Sequence, residues 1–235
     1  MIHPQAMVSP QAVLGEDVEI GAGAVIEAEA RVGARSRLAP LSYVGPGVTL
    51  GQRCELGAGA VLLAGVTLAD DVVVEAGAVL GSCGFGFVQH EGEHVPIPQV
   101  GGLSVGSGSR ILAGCTIDRG TLNDTRLGER VTVGPMVQVA HNVSIGDRTV
   151  LESQVGIAGS CSIGADCLLE ARSGMAGHAE LGDNSRLAPR AGTTRKSPAH
   201  SDLVGFPARP RQTALKLEAA LSRLPWALEQ MDRAE

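Results

Sequence analysis

Large aliphatic residues recur at every sixth position along most of this chain. From Ile2 the steps fall on Val8, Leu14, Ile20, Ile26, Val32, Leu38, Val44, Leu50, Leu56, Leu62, Leu68, Val74 and Leu80. The register breaks after Leu80, returns at Val105, Ile111 and Ile117, and slips by four residues. It then runs from Leu127 through Val133, Val139, Ile145, Leu151, Ile157, Ile163, Leu169, Met175 and Leu181 to Leu187. Two residues before each large aliphatic stands a small or β-branched one, as at Ala6, Ala12, Val18, Ala24, Ala30 and Ser36. Gly often follows it, as at Gly15, Gly21, Gly33, Gly45 and Gly51.

A fixed short period is the mark of a repeat architecture. Six residues make one short strand and one corner. The large aliphatic points inward, the small residue fits beside it, and Gly relieves the corner where a positive φ is needed. Three units close a triangular coil, so the pattern predicts an all-β chain folded as a parallel β-helix. About nine coils at ~4.8 Å each give a prism roughly 45 Å long. Each coil buries its interior only by stacking on the next, so the ends need caps.

The helix is expected over residues 1–189, with a loop excursion at about 84–102, and a C-terminal extension over 190–235. The excursion contains two of the three Phe and two of the six His, and such departures from a rigid scaffold commonly carry function. The second break, residues 118–126, has no strong chemical signal of its own. From 190 to 210 the rhythm fades. Leu215, Leu217, Leu221 and Leu224 then have helical spacing, Pro225 breaks it, and 226–234 reads as a second short helix. These helices are expected to cap the open end of the prism.

Composition agrees with a stack of short strands. There is one Trp, one Tyr and three Phe beside 32 Gly, in a chain that is 44% hydrophobic. A packed globular core would use more aromatic area. No apolar run approaches the roughly 20 residues of a membrane span, and the first residues do not begin a signal peptide, so a soluble cytoplasmic protein is expected. The net charge of −6 is unevenly spread. Residues 188–223 carry seven Lys or Arg against Asp202 and Glu218, and this basic segment on an acidic body suits an acidic or phosphorylated partner.

Cys54, Cys115, Cys161 and Cys167 fall on the small inward position and read as buried hydrophobes; Cys83 lies off the pattern beside the excursion. His3 and His200 look terminal and solvated, while His90 and His94 sit in the excursion. His141 and His178 stand on the regular coils, 37 residues apart, and Gly159 is one 18-residue coil beyond His141. A lone His on such a face is ordinarily a surface residue. A stacked His141–Gly159 column with His178 near its top is more than that. A neutral imidazole can take the proton of an attacking amine, and an uncrowded Gly N–H can donate to an acyl oxyanion. A zinc site of the three-His kind is a poorer fit, because Asp183 stands where a third His is expected.

Several segments occur in a telling order: Gly84-Phe85-Gly86-Phe87, Ile97-Pro98-Gln99, Thr116-Ile117-Asp118-Arg119-Gly120, Gln138-Val139-Ala140-His141-Asn142, Ala158-Gly159-Ser160, Gly177-His178 and Gly205-Phe206-Pro207-Ala208. In these the chain closely resembles the UDP-3-O-acylglucosamine N-acyltransferases of lipid A synthesis, over essentially its whole length. The resemblance implies a left-handed β-helix and a homotrimer with active sites between neighbouring prisms. It implies a 3-hydroxyacyl donor on the phosphopantetheine of acyl carrier protein, no resident cofactor, and the 2-amino group of an acylated UDP-glucosamine as acceptor. His141 matches the family's general base, Gly159 its oxyanion donor and His178 a second site histidine, with Phe85, Phe87, Gln138 and Asn142 toward the substrate. The basic Arg195, Lys196, Arg209 and Arg211 suit an acidic carrier protein.

Three departures bear on the acceptor. The family normally carries an N-terminal uridine-binding domain, whereas this chain begins at the helix. Cys83 replaces the Asp that usually precedes Gly-Phe-Gly, and Gly134-Pro135 replaces an Asp-Asn pair before the catalytic His. Donor chemistry is thus expected to be kept while the acceptor is open. Two other readings stand beside this one: an acetyl-CoA-dependent sugar N-acetyltransferase, and a non-catalytic trimeric scaffold.

Overall fold

The computed structural model describes residues 1–232, and the six-residue rhythm becomes a left-handed parallel β-helix. Most strands are two residues long, one side chain outward and one inward, and outside the interruptions and the last coil each pairs with the strand 18 residues on. Met7, Val25, Tyr43, Val61 and Val79 form one such ladder. Three faces result, which we number in the order the chain meets them. The first starts at Met7–Val8, the second at Val13–Leu14 and the third at Glu19–Ile20; they hold 10, 10 and 11 strands.

The inward aliphatics of successive coils stack into one long core. Ile26, Leu62, Leu80, Ile117 and Ile157 are fully buried, with the small Ala24, Ala60, Cys54 and Cys115 between them. No aromatic side chain belongs to this core, because the triangular bore has room only for aliphatic and small residues. Cys161 and Cys167 are likewise buried; Cys83 is exposed.

The structure corrects the expected role of the corner glycines. Positive φ falls two residues later, at Gly23 (66°), Gly47 (67°) and Gly59 (65°), and also at Asp17, Arg35 and Arg53. The glycines that follow the aliphatics are there for space. A Cβ at Gly15 would stand 2.5 Å from the Ala34 nitrogen, and one at Gly45 would stand 2.9 Å from the Leu62 oxygen, both in the next coil. Of the glycines expected at φ > 0, Gly81 has it (86°), at the bulge that opens the excursion.

Ten coils form where nine were expected, because the helix continues past residue 189 to Val204. The last coil is short, with Leu181 opposite Ser197, and it turns Thr193 and Ser197 inward in place of aliphatics, which hides it from the hydrophobic pattern. The excursion is a hairpin in which Phe87–His90 pairs antiparallel with Glu93–Pro96. One helix, α1 (Arg211–Asp232), follows in place of two, with Pro225 inside it. The helix is open to solvent around Pro225, so the carbonyl that proline leaves unpaired meets water. The end of the expected second helix lies outside the described residues. α1 packs on the last strands, Asp202–Val204 and Arg209–Pro210, while Leu217, Leu221, Leu224 and Leu228 remain exposed. No described helix is long and apolar enough to cross a membrane.

Candidate active site

The edge where the chain turns from the first face into the second collects the unusual residues of this sequence. Both interruptions leave the prism there. The excursion separates Val79–Ser82 from Leu103–Val105, and the second break separates Thr116–Asp118 from Thr125–Leu127. In the next coils the same edge carries His141 and Asn142, then Gly159 and Ser160, then Gly177 and His178, then Thr194 and Arg195. Stacking is continuous: the Ser160 N–H donates to the His141 carbonyl (2.9 Å) and the His178 N–H to the Gly159 carbonyl (3.1 Å).

His141 is half-buried between two glycines. A Cβ at Gly159 would lie 2.7 Å from His141 Nε2, and a Cβ at Gly84 would lie 2.6 Å from His141 Cβ. His141 therefore occupies a space that a side chain at either position would invade. The Gly159 N–H has no acceptor among the described residues.

The other ring nitrogen is engaged. His141 Nδ1 lies 3.1 Å from Asn142 Nδ2 and 3.4 Å from Thr121 Oγ1. The Asn142 amide is pinned, because its Oδ1 accepts the Thr121 backbone N–H (2.7 Å) while Nδ2 donates to Thr121 Oγ1 (3.0 Å). The Thr121 hydroxyl donates to Gln99 Oε1 (3.0 Å), whose own Nε2 is held by the Ile97 carbonyl (3.1 Å). Asn142, expected toward the substrate, thus spends its amide on His141 and the second break.

Gln138 projects outward from the first face in the His141 coil. Its Nε2 donates to Asp118 Oδ2 (3.3 Å), and Ser82 donates to Asp118 Oδ1 (2.7 Å). Asp118 is buried, and that burial pushes its carboxyl above the ordinary value, although the hydrogen bonds from Ser82 and Gln138 and the nearby His141 pull it back. Phe85 and Phe87 are exposed on the excursion. Their rings meet edge to face at 5.2 Å, and Phe87 also packs on His94 at 4.5 Å. His178 is exposed at a left-handed corner (φ 62°), in one column with Ser160 and Asn142 rather than directly over His141. Gly134 and Pro135 stand at a different edge of the His141 coil, between the third and first faces.

Beside His141 the first face changes character. Its outward residues run Met7, Val25, Tyr43, Val61, Val79, Thr116 and Gln138, and then Gly156, Gly174 and Gly192. A Cβ at Gly156 would touch nothing, and one at Gly174 only the Gly156 oxygen at 3.4 Å, so packing within this chain does not demand glycine at either. The bare strip ends where the Phe206 ring lies against Gly192.

Three coils beyond His141 (~14 Å at the usual spacing), Arg195, Lys196 and Arg209 line a cavity of about 340 Å³ with Thr193, Ser201 and Thr213. Arg211 is exposed at the start of α1 and does not line it. A larger hollow of about 920 Å³ lies on the third face under residues 1–4. Its Arg37 pairs with Glu19 and Glu55, and it is remote from this edge.

Thr121, Gln99 and Asp118 are the contributors that sequence reasoning left without a role. The available signal was the four-residue slip: Thr116 pairs with Gln138, 22 positions on, against 18 in a regular coil. The extra residues emerge at the edge of the coil that bears His141, and Thr121 among them reaches its ring.

Residues 124–159 match the family described as bacterial transferase hexapeptide (six repeats). Residues 24–64, 47–82 and 161–189 match the hexapeptide repeat of succinyl-transferase. The chain is 46% identical over 170 residues to UDP-3-O-acylglucosamine N-acyltransferase 1 of Gloeobacter violaceus, covering 72% of this chain and 49% of that protein. It is 45% identical over 85 residues to the Coxiella burnetii UDP-3-O-acylglucosamine N-acyltransferase, covering 36% and 25%. The chain thus spans about half the length or less of these curated relatives. Among solved structures, the Arabidopsis UDP-N-acetylglucosamine acyltransferase superposes with a TM-score of 0.82 at 23% identity, over 90% of this chain and 73% of that one. The Moraxella catarrhalis UDP-N-acetylglucosamine O-acyltransferase gives 0.68 at 21%, over 89% and 73%; both likenesses speak to the fold alone. With its repeat matched over residues 24–82, 124–159 and 161–189, the chain belongs to the hexapeptide-repeat family, and over 170 residues it is similar to a UDP-3-O-acylglucosamine N-acyltransferase.

Proposed function

We propose that this protein is an N-acyltransferase of lipid A synthesis. In this reading it moves a 3-hydroxyacyl chain from acyl carrier protein to the amine of a UDP-linked amino sugar, in the cytoplasm and as a homotrimer. The observation that carries the reading is His141 lying against Gly159 on the edge that also holds both interruptions and the basic cavity. The acceptor amine attacks the thioester carbonyl while His141 Nε2 takes the amine proton. The oxyanion is held by the Gly159 N–H, and on its collapse the C–S bond breaks and the carrier thiolate takes from His141 the proton it had accepted from the amine. In this reading His178, further along the edge, serves the donor side, and Arg195, Lys196 and Arg209 serve an acidic carrier. Phe85, Phe87 and Gln138 stand on the acceptor side. Gln138 presents its carbonyl outward, because its nitrogen is held by Asp118.

The glycine strip favours a long acyl chain over acetyl. Three coils of bare backbone from Gln138 to the Phe206 ring, ~14 Å, accommodate roughly 11 carbons of an extended chain. The test is acyl transfer to UDP-linked glucosamines by wild type and His141→Ala, with 3-hydroxyacyl carrier protein and acetyl-CoA compared as donors. Wild-type turnover with the carrier thioester, lost about 100-fold or more in His141→Ala, is expected. Equal rates would remove the mechanism. Preference for acetyl-CoA would move the protein to the sugar N-acetyltransferases. No turnover with either donor but retained carrier binding would make it a scaffold.

A further inference from the structure

A histidine that takes a proton at Nε2 must carry its own proton on Nδ1, because the neutral ring has one N–H and one lone pair. The surroundings of His141 Nδ1 oppose that arrangement on one side and support it on the other. Asn142 cannot turn its carbonyl to the ring, since Oδ1 is committed to the Thr121 backbone N–H. It therefore offers Nδ1 an N–H at 3.1 Å, which favours the tautomer protonated at Nε2, the wrong one for a base. Thr121 Oγ1, at 3.4 Å, is the acceptor available to an Nδ1–H. Its own hydrogen is fixed toward Gln99 Oε1, because Gln99 Nε2 is taken by the Ile97 carbonyl. The Thr121 oxygen thus turns lone pairs, not its proton, toward Asn142 and the ring.

We propose that Thr121 is a positioning residue which, held by Gln99 of the excursion and working against Asn142, selects the His141 tautomer able to act as base. In the exchange one proton leaves Nε2 to water and another arrives at Nδ1, so the ring stays neutral and nothing else is consumed. The excursion bears on the balance through Gln99, which fixes the Thr121 hydrogen. The catalytic half of this inference rests on the acyl-transfer reading; the tautomer half stands without it.

The test uses full-length protein carrying ring-¹⁵N histidine, with the His141 signals assigned by their loss in His141→Gln. Long-range ¹H–¹⁵N spectra above the imidazole titration report which nitrogen bears the proton. Thr121→Ala is expected to move His141 toward the Nε2–H form and Thr121→Ser to restore the wild-type balance. Asn142→Asp, which turns a donor into an acceptor, is expected to move it to Nδ1–H and to make Thr121→Ala silent in that background. Turnover of 3-hydroxyacyl carrier protein with a UDP-linked glucosamine is expected to fall about tenfold in kcat for Thr121→Ala, the worth of one hydrogen bond, with the acceptor KM unchanged and Thr121→Ser near wild type. An unchanged tautomer in both Thr121→Ala and Asn142→Asp overturns the proposal, and so does a shifted tautomer without loss of kcat. Failure of the wild type to turn over would count against the acyl-transfer reading alone, and the spectra would still decide whether Thr121 selects the tautomer.

Discussion

Gly174→Leu tests the acyl-chain reading without touching the reacting atoms. Gly174 stands on the first face two coils from Gln138, in the middle of the bare strip between Gly156 and Gly192. A Cβ there meets only the Gly156 oxygen at 3.4 Å, an ordinary contact, and the residue lies outside the left-handed region, so folding should be indifferent to the change. The new side chain fills the strip about 10 Å from Gln138 and shortens its usable length from ~14 Å to some 8–10 Å. Roughly four methylenes of a long donor then lose their burial, at about 0.8 kcal/mol each, or ~3 kcal/mol in all. That is about a 100-fold loss in kcat/KM for the long donor and little for a short one. The assay is kcat/KM for 3-hydroxyacyl carrier proteins of graded chain length, with thermal melting to confirm that the variant is folded. A ratio of long-chain to short-chain kcat/KM equal to that of wild type would refute the placement of the chain on this strip.

Three further outcomes follow from the same geometry. Gly159→Ala would put a methyl 2.7 Å from His141 Nε2, so kcat should fall about 100-fold or more while the melting temperature stays near wild type; a fully active variant would mean the ring does not occupy that space. Asp118 has its carboxyl raised by burial from 3.8, so the folded protein holds this proton more tightly than the unfolded chain. Stability from this group is therefore greatest at low pH and is lost as pH climbs from about 4 through the raised value. Melting curves of Asp118→Asn against wild type should accordingly diverge in favour of the variant over that window and then run parallel. A constant offset at all pH values would deny the shift. Burial raises the Cys54, Cys115, Cys161 and Cys167 thiols and seals them in the core, so a thiol reagent should modify Cys83 alone in native protein and all five cysteines after denaturation; more than one fast-reacting thiol in the native state would contradict the core assignment.

How much of this was legible in the sequence depended on whether a feature was periodic. Each coil repeats one instruction, aliphatic in and small beside it, so Ile26, Leu62 and Ile157 announce their burial by position alone. The same spacing placed Gly159 one coil from His141, since 18 residues is one turn of the prism. Features that interrupt the period were legible only as interruptions. The coil from Leu187 to Val204 went unread because Thr193 and Ser197 replace the aliphatic signal, and the continuity of α1 through Pro225 depended on its exposure. The corner glycines were misread because a sequence does not separate a glycine needed for its φ from one needed for its missing Cβ. Thr121 shows the limit most clearly. In one dimension it is a polar residue in a short insertion, 20 positions before the histidine it contacts. It reaches His141 because both breaks in the rhythm empty onto the same edge of the prism, where the four inserted residues add length without turning the face. The slip in register was therefore the signal of that contact: in a solenoid this regular, an insertion that leaves the stacking intact sets its side chains at the edge where it emerges.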